Sequence, residues 1–241
     1  MKLNKLANAT ILAVTLIASS NALADLITPT VTFDSGTALN TTGLSTFTTS
    51  GVNMAGMSVT AYFSGGSFET VTWKAMGTLT AGAATGTGWS LGFAGLTTFD
   101  PSWELLTTAN LSGTMTRLVI DGRPGDTIFD TILDPETTPG SARGTPFSAV
   151  AGPAGLSVAA TYRNQVALNN AVYGDLFTVL DIGFGTVTGA AGGLVANSQL
   201  IFTADTDNTA VSGDIKEIPE PTTMALLSLG LLGLGFMRRK A

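Results

Sequence analysis

The sequence predicts an all-β chain: one antiparallel β-sandwich of the jelly-roll type, flanked by an N-terminal signal peptide and a C-terminal transmembrane helix. Three observations predict this fold class. Short runs of alternating apolar and polar residues fill the middle of the 241-residue chain, and this is the period of half-buried strands. Stretches rich in Gly, Pro, Asp and Asn separate these runs. Threonine is frequent throughout, and its branched Cβ suits a pleated sheet.

The N-terminus has the three parts of a secretory signal peptide. Lys2 and Lys5 supply positive charge, and residues 11–18 form an apolar run of the usual length. Ala22 and Ala24 supply the small side chains that signal peptidase requires at positions −3 and −1. We therefore expect export of the chain, with removal of its first 24 residues.

Six runs between the two ends are predicted to be strands. Val71, Trp73 and Ala75 alternate with polar residues in one of them, and Trp89 and Phe93 hold apolar positions in another, so both tryptophans should be buried. The predicted strands are residues 58–63, 69–76, 89–94, 115–120, 177–184 and 199–203. The predicted turns are residues 65–66, 80–88, 121–126, 135–146, 151–155 and 188–193. Residues 100–110 are expected to hold one short helix or a loop.

The C-terminus contains a second apolar segment. Residues 224–237 carry no charge and are followed directly by Arg238, Arg239 and Lys240. Fourteen helical residues span about 21 Å, short of the roughly 30 Å hydrocarbon core, but residues 218–223 and snorkelling arginines extend the segment to a membrane span. The basic cluster is predicted to stay in the cytoplasm, while the signal peptide directs the preceding chain across the inner membrane.

The tripeptide Pro219-Glu220-Pro221 stands directly before this apolar segment. Each proline disfavours helix, so the tripeptide stays extended where a processing enzyme can bind it. The tripeptide, the apolar helix and the terminal Arg238-Arg239 together resemble the PEP-CTERM sorting signal of exported proteins in Gram-negative bacteria. The resemblance implies recognition of Pro219, Glu220 and Pro221 by exosortase, a membrane-embedded, transpeptidase-like cysteine enzyme that removes the tail. It also implies that the helix is a temporary anchor and that Arg238 and Arg239 are its stop signal. A permanent C-terminal anchor is the alternative.

The chain therefore divides into three parts. These are a signal peptide (residues 1–24), a β-sandwich ectodomain (residues 25–217) and a sorting tail (residues 218–241). Within the middle part, residues 125–130, 138–142 and 204–208 are similar to the β-sandwich ectodomains that often precede PEP-CTERM tails. This second resemblance implies the fold and export, but it implies no reaction.

The composition excludes several classes of site. The chain has no Cys and no His, which rules out Ser-His-Asp triads, cysteine nucleophiles, His/Cys zinc sites, iron–sulfur clusters and disulfides. Residues 25–217 hold 6 basic and 16 acidic residues, a net charge of −10. Nucleic-acid binding is disfavoured, because it requires a basic surface. An acidic balance suits solubility outside the cell.

Asp205, Asp207 and Asn208 form the candidate metal site. Alternate carboxylates can ligate calcium, but calcium takes six to eight oxygens, and this stretch lacks the Gly and the distal Glu of an EF-hand loop. An Asx turn explains the same residues equally well. The prediction is therefore no cofactor, with calcium as the alternative.

Trp103 is the candidate ligand-contacting residue, because it falls in the predicted loop rather than at an apolar position of a strand. Residues 121–126 are predicted to form a hairpin turn, since they lack the spacing of a phosphate-binding loop. Carboxylate pairs such as Asp126 with Asp130, or Glu69 on a strand, leave glycoside hydrolysis open.

The predicted function is that of an exported, non-catalytic surface or extracellular-matrix protein, processed by exosortase. Its association with exopolysaccharide or biofilm is what the PEP-CTERM resemblance implies. One alternative is a lectin-like, glycan-binding sandwich, with or without calcium, and another is a secreted carboxylate-based glycoside hydrolase. The expected partners are exosortase, transiently the inner membrane, and exopolysaccharide, with no nucleic acid.

Overall fold

The protein's computed structural model describes residues 29–46, 49–77, 80–99, 102–131, 144–186 and 192–218. These residues form seventeen strands and one short 3-10 turn (Arg123–Gly125). The strands are β1 (Thr30–Phe33), β2 (Thr37–Thr41), β3 (Leu44–Thr46), β4 (Ser58–Phe63), β5 (Phe68–Thr72), β6 (Lys74–Ala75), β7 (Ala81–Gly86), β8 (Trp89–Ala94), β9 (Trp103–Thr107), β10 (Met115–Asp121), β11 (Thr127–Asp130), β12 (Ser148–Ala151), β13 (Leu156–Leu168), β14 (Leu176–Thr186), β15 (Gln199–Thr203), β16 (Asp205–Thr209) and β17 (Lys216–Glu217). The all-β prediction is confirmed for this part of the chain.

The strands form two sheets that enclose one main hydrophobic core. The larger sheet has eleven strands, with the central order β17-β2-β13-β14-β10-β4-β5, and the smaller has six, in the order β12-β15-β9-β8-β7-β6. Two details differ from the predicted antiparallel jelly roll. β13 pairs in parallel with both β1 and β2, and β6 to β9 form a simple meander instead of the Greek-key order of a jelly roll.

Aromatic side chains from the two sheets fill the main core. Trp73, Trp89 and Trp103 are almost completely buried, together with apolar side chains of both sheets such as Leu118 and Phe202. The predicted burial of Trp73 and Trp89 is therefore confirmed. Trp73 lies between β5 and β6, at the point where the chain passes from the larger sheet to the smaller one.

The hairpin of β13 and β14 organises the larger sheet, because two strands lie end to end along each of its edges. β1 and then β2 pair with β13, and β10 and then β11 pair with β14. Asn164 adopts a left-handed conformation (φ 57°) where the partner of β13 changes, a conformation that asparagine tolerates well. Beyond this point β11, β16 and β3 extend the sheet, and a second, smaller hydrophobic cluster forms around Leu39, Ile128 and Leu176.

All six predicted strands are present, although residues 69–76 divide into β5 and β6, and three other local predictions are wrong. Predicted strands 58–63, 89–94 and 199–203 match β4, β8 and β15 at both ends. Residues 80–88, predicted as a turn, contain β7, and residues 100–110, predicted as a helix or loop, contain β9. Residues 121–126 do not form a hairpin turn, because β10 and β11 both pair with β14 and not with each other.

Several predictions fall outside the described residues. These are the signal peptide with Ala22 and Ala24, the segment 138–142, most of the predicted turns 135–146 and 188–193, the tripeptide Pro219-Glu220-Pro221, the apolar segment 224–237, and Arg238 and Arg239. Among the residues that are described, no helix is long and apolar enough to cross a bilayer.

Candidate functional site

The last described strand carries the chain out of the folded domain and directly to the predicted processing tripeptide. β17 pairs antiparallel with the edge of β2, with Lys216 opposite Asn40 and Glu217 opposite Leu39. The backbone N–H of Ile218 donates to the carbonyl oxygen of Ala38 at 2.9 Å. Pro219 follows in the sequence with no intervening residue.

Asp214 links the chain just before β17 to Thr41 and Thr42, at the end of β2, through hydrogen bonds. Its Oδ2 accepts hydrogen bonds from the Thr42 hydroxyl (2.7 Å), the Thr42 backbone N–H (2.6 Å) and the Thr41 hydroxyl (2.8 Å). The Thr42 hydroxyl, the Thr42 N–H and the Thr41 hydroxyl lower the pKa of Asp214 against the opposing effect of burial, and the charge of Lys216 adds to this. The ionised carboxylate therefore stabilises the fold at neutral pH, and this contribution is lost as the pH falls through the lowered pKa.

Comparison with known protein families identifies the segment that follows. Residues 217–240 match the family described as the PEP-CTERM protein-sorting motif. The chain carries a PEP-CTERM sorting motif. The match begins at Glu217, so the PEP-CTERM motif overlaps β17. No curated protein and no solved structure matches the chain.

The match confirms the predicted sorting signal and is consistent with an exosortase substrate. A PEP-CTERM signal indicates export, transit through a membrane-anchored stage, and delivery to the surface. Only Glu217 and Ile218 of this motif are among the described residues. The described part of the site is therefore the junction between the folded domain and the PEP-CTERM motif.

Trp103 is not an exposed ligand platform, and the sequence prediction for it is wrong. It is the first residue of β9, its side chain is fully buried, and its ring stacks on that of Phe202 with centroids 6.0 Å apart. Its indole N–H donates to the carbonyl oxygen of Ala204 at 2.8 Å. Because the alternate residues of β9 face the core, Trp103 packs the two sheets together and has no surface to offer a ligand.

Asp205, Asp207 and Asn208 lie in strand β16, so the interpretation of these residues as an Asx turn is wrong as well. Asp205 and Asp207 are buried, and Asp205 Oδ1 accepts a hydrogen bond from the Thr98 hydroxyl at 2.7 Å. Asn208 projects from the opposite face of the strand, where its amide donates to the backbone oxygen of Asn53. The three side chains therefore do not converge, and no cluster of three or more metal-ligating side chains occurs within the described ranges.

The candidate carboxylates for hydrolysis are held by the fold. Glu69 accepts hydrogen bonds from the Trp89 indole and the Thr87 N–H, both at 2.8 Å, and the Thr87 hydroxyl at 3.1 Å. Burial raises the pKa of Glu69, but these hydrogen bonds outweigh it, and the pKa lies below the usual value. Asp126 accepts from the Ser212 hydroxyl and the Gly213 N–H, both at 2.6 Å.

The larger sheet has an outer face, defined as the side of β5, β4, β10, β14, β13 and β1 that points away from the core. This face carries a group of side chains that was not among the predicted sites. Phe68 is 66% exposed there, and its ring lies 5.8 Å from that of Tyr62. The Arg117 guanidinium lies 4.9 Å from the Tyr62 ring centroid. Arg117 and Arg163 both pair with the buried carboxylate of Asp181 at 2.6 Å.

Hydroxyl groups surround these side chains. The Thr60 and Thr70 hydroxyls are hydrogen-bonded at 2.9 Å, and those of Thr32 and Thr161 at 2.8 Å. Both pairs lie in one row of cross-strand neighbours, which also contains Asp181. The alternating polar positions of β4, β10 and β13 are the sequence signal for this face. Its composition becomes evident only when the strand order is known, because its members come from six strands.

Proposed function

We propose that this protein is an exported substrate of exosortase, whose folded part is a non-catalytic β-sandwich delivered to the cell surface or the extracellular matrix. The observation that supports it most directly is the PEP-CTERM motif at residues 217–240, which begins within the last strand of the folded domain. Exosortase processes the tail after Pro219-Glu220-Pro221 reaches the membrane surface. The residues after 223 act as a temporary anchor, and the mature protein associates with exopolysaccharide.

The non-catalytic part of the proposal is supported by the state of the ionisable groups. Glu69 and Asp126 are engaged by several donors each, which restricts them as proton-transfer groups. A depression of about 320 Å³ lies where β5, β6 and β7 meet. Among the described residues that line this depression, Lys74 is the one charged residue, so these residues offer no pair of carboxylates.

Processing is tested by the intact mass of the exported protein from bacteria with and without active exosortase. With the active enzyme, we expect an N-terminus at Asp25, a C-terminus near Pro219-Glu220-Pro221, and loss of residues 238–241. Glu220→Ala is expected to reduce processing at least tenfold, because it removes the side chain between the two prolines.

Two comparisons make the result decisive. An exosortase without its catalytic cysteine should leave the tail intact, and Glu104→Ala, a surface change on β9, should be processed like the unchanged protein. Retention of residues 224–241 alongside the active enzyme identifies a permanent anchor and contradicts the proposal.

A second candidate function, binding of an acidic glycan, is favoured by the outer face. Phe68 and Tyr62 offer ring surface on which a sugar can stack, and Arg117 and Arg163 share one carboxylate, which leaves one positive charge over. The hydrogen bond to Asp181 raises the pKa of Arg117, which keeps the guanidinium charged. Six strands spaced about 4.8 Å apart give a face roughly 24 Å across, wide enough for several sugar rings.

Glycan binding is tested with the exported protein on arrays of uronic-acid-containing and neutral polysaccharides, with and without calcium. We expect binding to the acidic glycans, weakened at least tenfold by Phe68→Ala and by Arg163→Ala, and weakened by salt. Leu96→Ala, which truncates an apolar side chain that is 74% exposed outside this face, should bind normally. Binding to neutral glycans alone, or to none, contradicts this candidate.

A further inference from the structure

The last described strand of the folded domain and the PEP-CTERM motif share one residue, Glu217. Glu217 lies in β17 and is also the first residue of the matched motif. Ile218, which directly precedes Pro219, donates its backbone N–H to the carbonyl oxygen of Ala38. The chain has no linker between the last strand and the tripeptide. Whatever binds the tripeptide therefore meets the edge of the larger sheet.

β17 is weakly held compared with the residues just before it. Both of its side chains are exposed, and it occupies the outermost position of the sheet, beside β2. In contrast, Asp214 accepts three hydrogen bonds, and Ile215 packs against the smaller hydrophobic cluster. Edge segments with few buried contacts open at low free-energy cost. The boundary between the firmly held and the easily released chain therefore falls between Ile215 and Lys216.

The backbone groups of this strand are also those that an extended-peptide cleft would need. Peptides taken up in extended form are held by main-chain hydrogen bonds. Pro219 and Pro221 have no N–H, so Glu220 carries the one backbone donor within the tripeptide. On the N-terminal side, the nearest donors are those of Ile218, Glu217 and Lys216. The Ile218 N–H is occupied by Ala38 while β17 is in place.

The length of chain between β17 and the apolar segment also favours release of β17 from β2. Six residue steps separate Ile218 from Met224, the first residue of the apolar segment, and extended chain covers about 20 Å over that length. Release of β17 back to Ile215 adds three steps and brings the reach to about 30 Å. Before release, the folded domain is held within about 20 Å of the predicted anchor, and this leaves little room for a membrane-embedded enzyme.

We propose that Lys216, Glu217 and Ile218 belong to the segment that exosortase takes up in extended form, so that β17 leaves β2 before the tail is processed. This inference rests on the proposed function. Pairing with β2 and binding in the enzyme's cleft compete for the same backbone groups. The rate of processing therefore depends on how readily the terminal strand opens.

A reversible cross-link between β17 and β2 tests the inference. Asn40 and Lys216 are directly opposite each other, and Cα atoms of cross-strand partners are about 4.5–5.5 Å apart, within the range of a disulfide. The chain has no cysteine of its own, so Asn40→Cys with Lys216→Cys creates one defined bond. In membranes that contain active exosortase, we expect the oxidised full-length protein to be processed at least tenfold more slowly than the same protein after reduction, as read from its intact mass.

The matched control is a second cross-link, far from the tail. Thr60 and Thr70 are also cross-strand partners, and Thr60→Cys with Thr70→Cys is expected to be processed equally in both redox states. This control also reports any effect of oxidant or reductant on the enzyme. The single variants Asn40→Cys and Lys216→Cys should likewise show no redox dependence.

An insertion separates the strand from the tripeptide in the same assay. Six Gly/Ser residues between Ile218 and Pro219 supply free backbone donors and extra reach, so they should restore processing of the oxidised Asn40/Lys216 variant. Equal processing of its oxidised and reduced forms, with the bond confirmed by mass, overturns the inference. If the unmodified protein keeps its tail while exosortase processes another substrate, the proposed function itself is wrong.

Discussion

Replacing Trp103 with alanine is expected to lower the free energy of unfolding by about 4 kcal/mol, as for other large aromatic residues removed from a packed core. The side chain is fully buried, and its ring lies within 5.3 Å of that of Trp73 and 5.4 Å of that of Phe93, measured between centroids. Its truncation also leaves the buried carbonyl of Ala204 without the indole donor. The loss is measured by urea denaturation monitored by circular dichroism.

Two variants separate packing from hydrogen bonding at this position. Trp103→Phe keeps an aromatic ring but removes the donor, and it should cost about 1–2 kcal/mol. Phe68→Ala truncates an aromatic side chain that is mostly exposed, and it should change stability by less than about 0.5 kcal/mol. A loss below about 1 kcal/mol for Trp103→Ala contradicts its place in the core.

The second large effect is expected from a single added methyl group at Gly82. A Cβ there would collide with the carbonyl oxygen of Gly51 and with the Trp73 indole nitrogen, which donates to that same carbonyl at 2.8 Å. Neither group can move aside, because one is backbone and the other is fixed by its hydrogen bond and its burial. Gly82→Ala should therefore lower the free energy of unfolding by about 3 kcal/mol, the upper end of ordinary overpacking costs.

Gly92 offers the matched control on the neighbouring strand. A Cβ at Gly92 would meet only the Gly82 carbonyl oxygen, at an ordinary contact distance of 4.0 Å. Gly92→Ala should therefore leave stability within about 0.5 kcal/mol, or raise it slightly by restricting the unfolded chain. Equal changes in the free energy of unfolding for the two alanine variants would show that Gly82 does not pack closely against Gly51 and Trp73.

The same glycine explains why part of the fold could not be predicted. Alternation identified β4, β8 and β15, because apolar side chains occupy the buried face of each. β7 has the sequence AGAATG, which reads as a turn, yet its small residues are required where Trp73 and Gly51 approach the strand. β11 shows no alternation either, because all four of its residues are buried.

Some of the candidate sites could be predicted from the sequence, and others could not. The sorting motif was predictable because its tripeptide, apolar segment and basic end are contiguous in the sequence, and the family match confirms it. Trp103 was misassigned because it stands beside proline and charged residues, and its stacking partner Phe202 is about a hundred positions away. The pairing of β17 with β2 had no sequence signal, since it joins a two-residue strand to a strand near the N-terminal end of the described chain.

Two strands, β11 and β14, contribute side chains to both hydrophobic clusters. On β14, Leu176 belongs to the smaller cluster and Phe177 to the larger, and on β11 the same is true of Ile128 and Phe129. We therefore expect the two clusters to unfold together, because β11 and β14 each carry side chains of both. Unfolding should be cooperative across the whole domain, a single transition in which tryptophan fluorescence and circular dichroism change together.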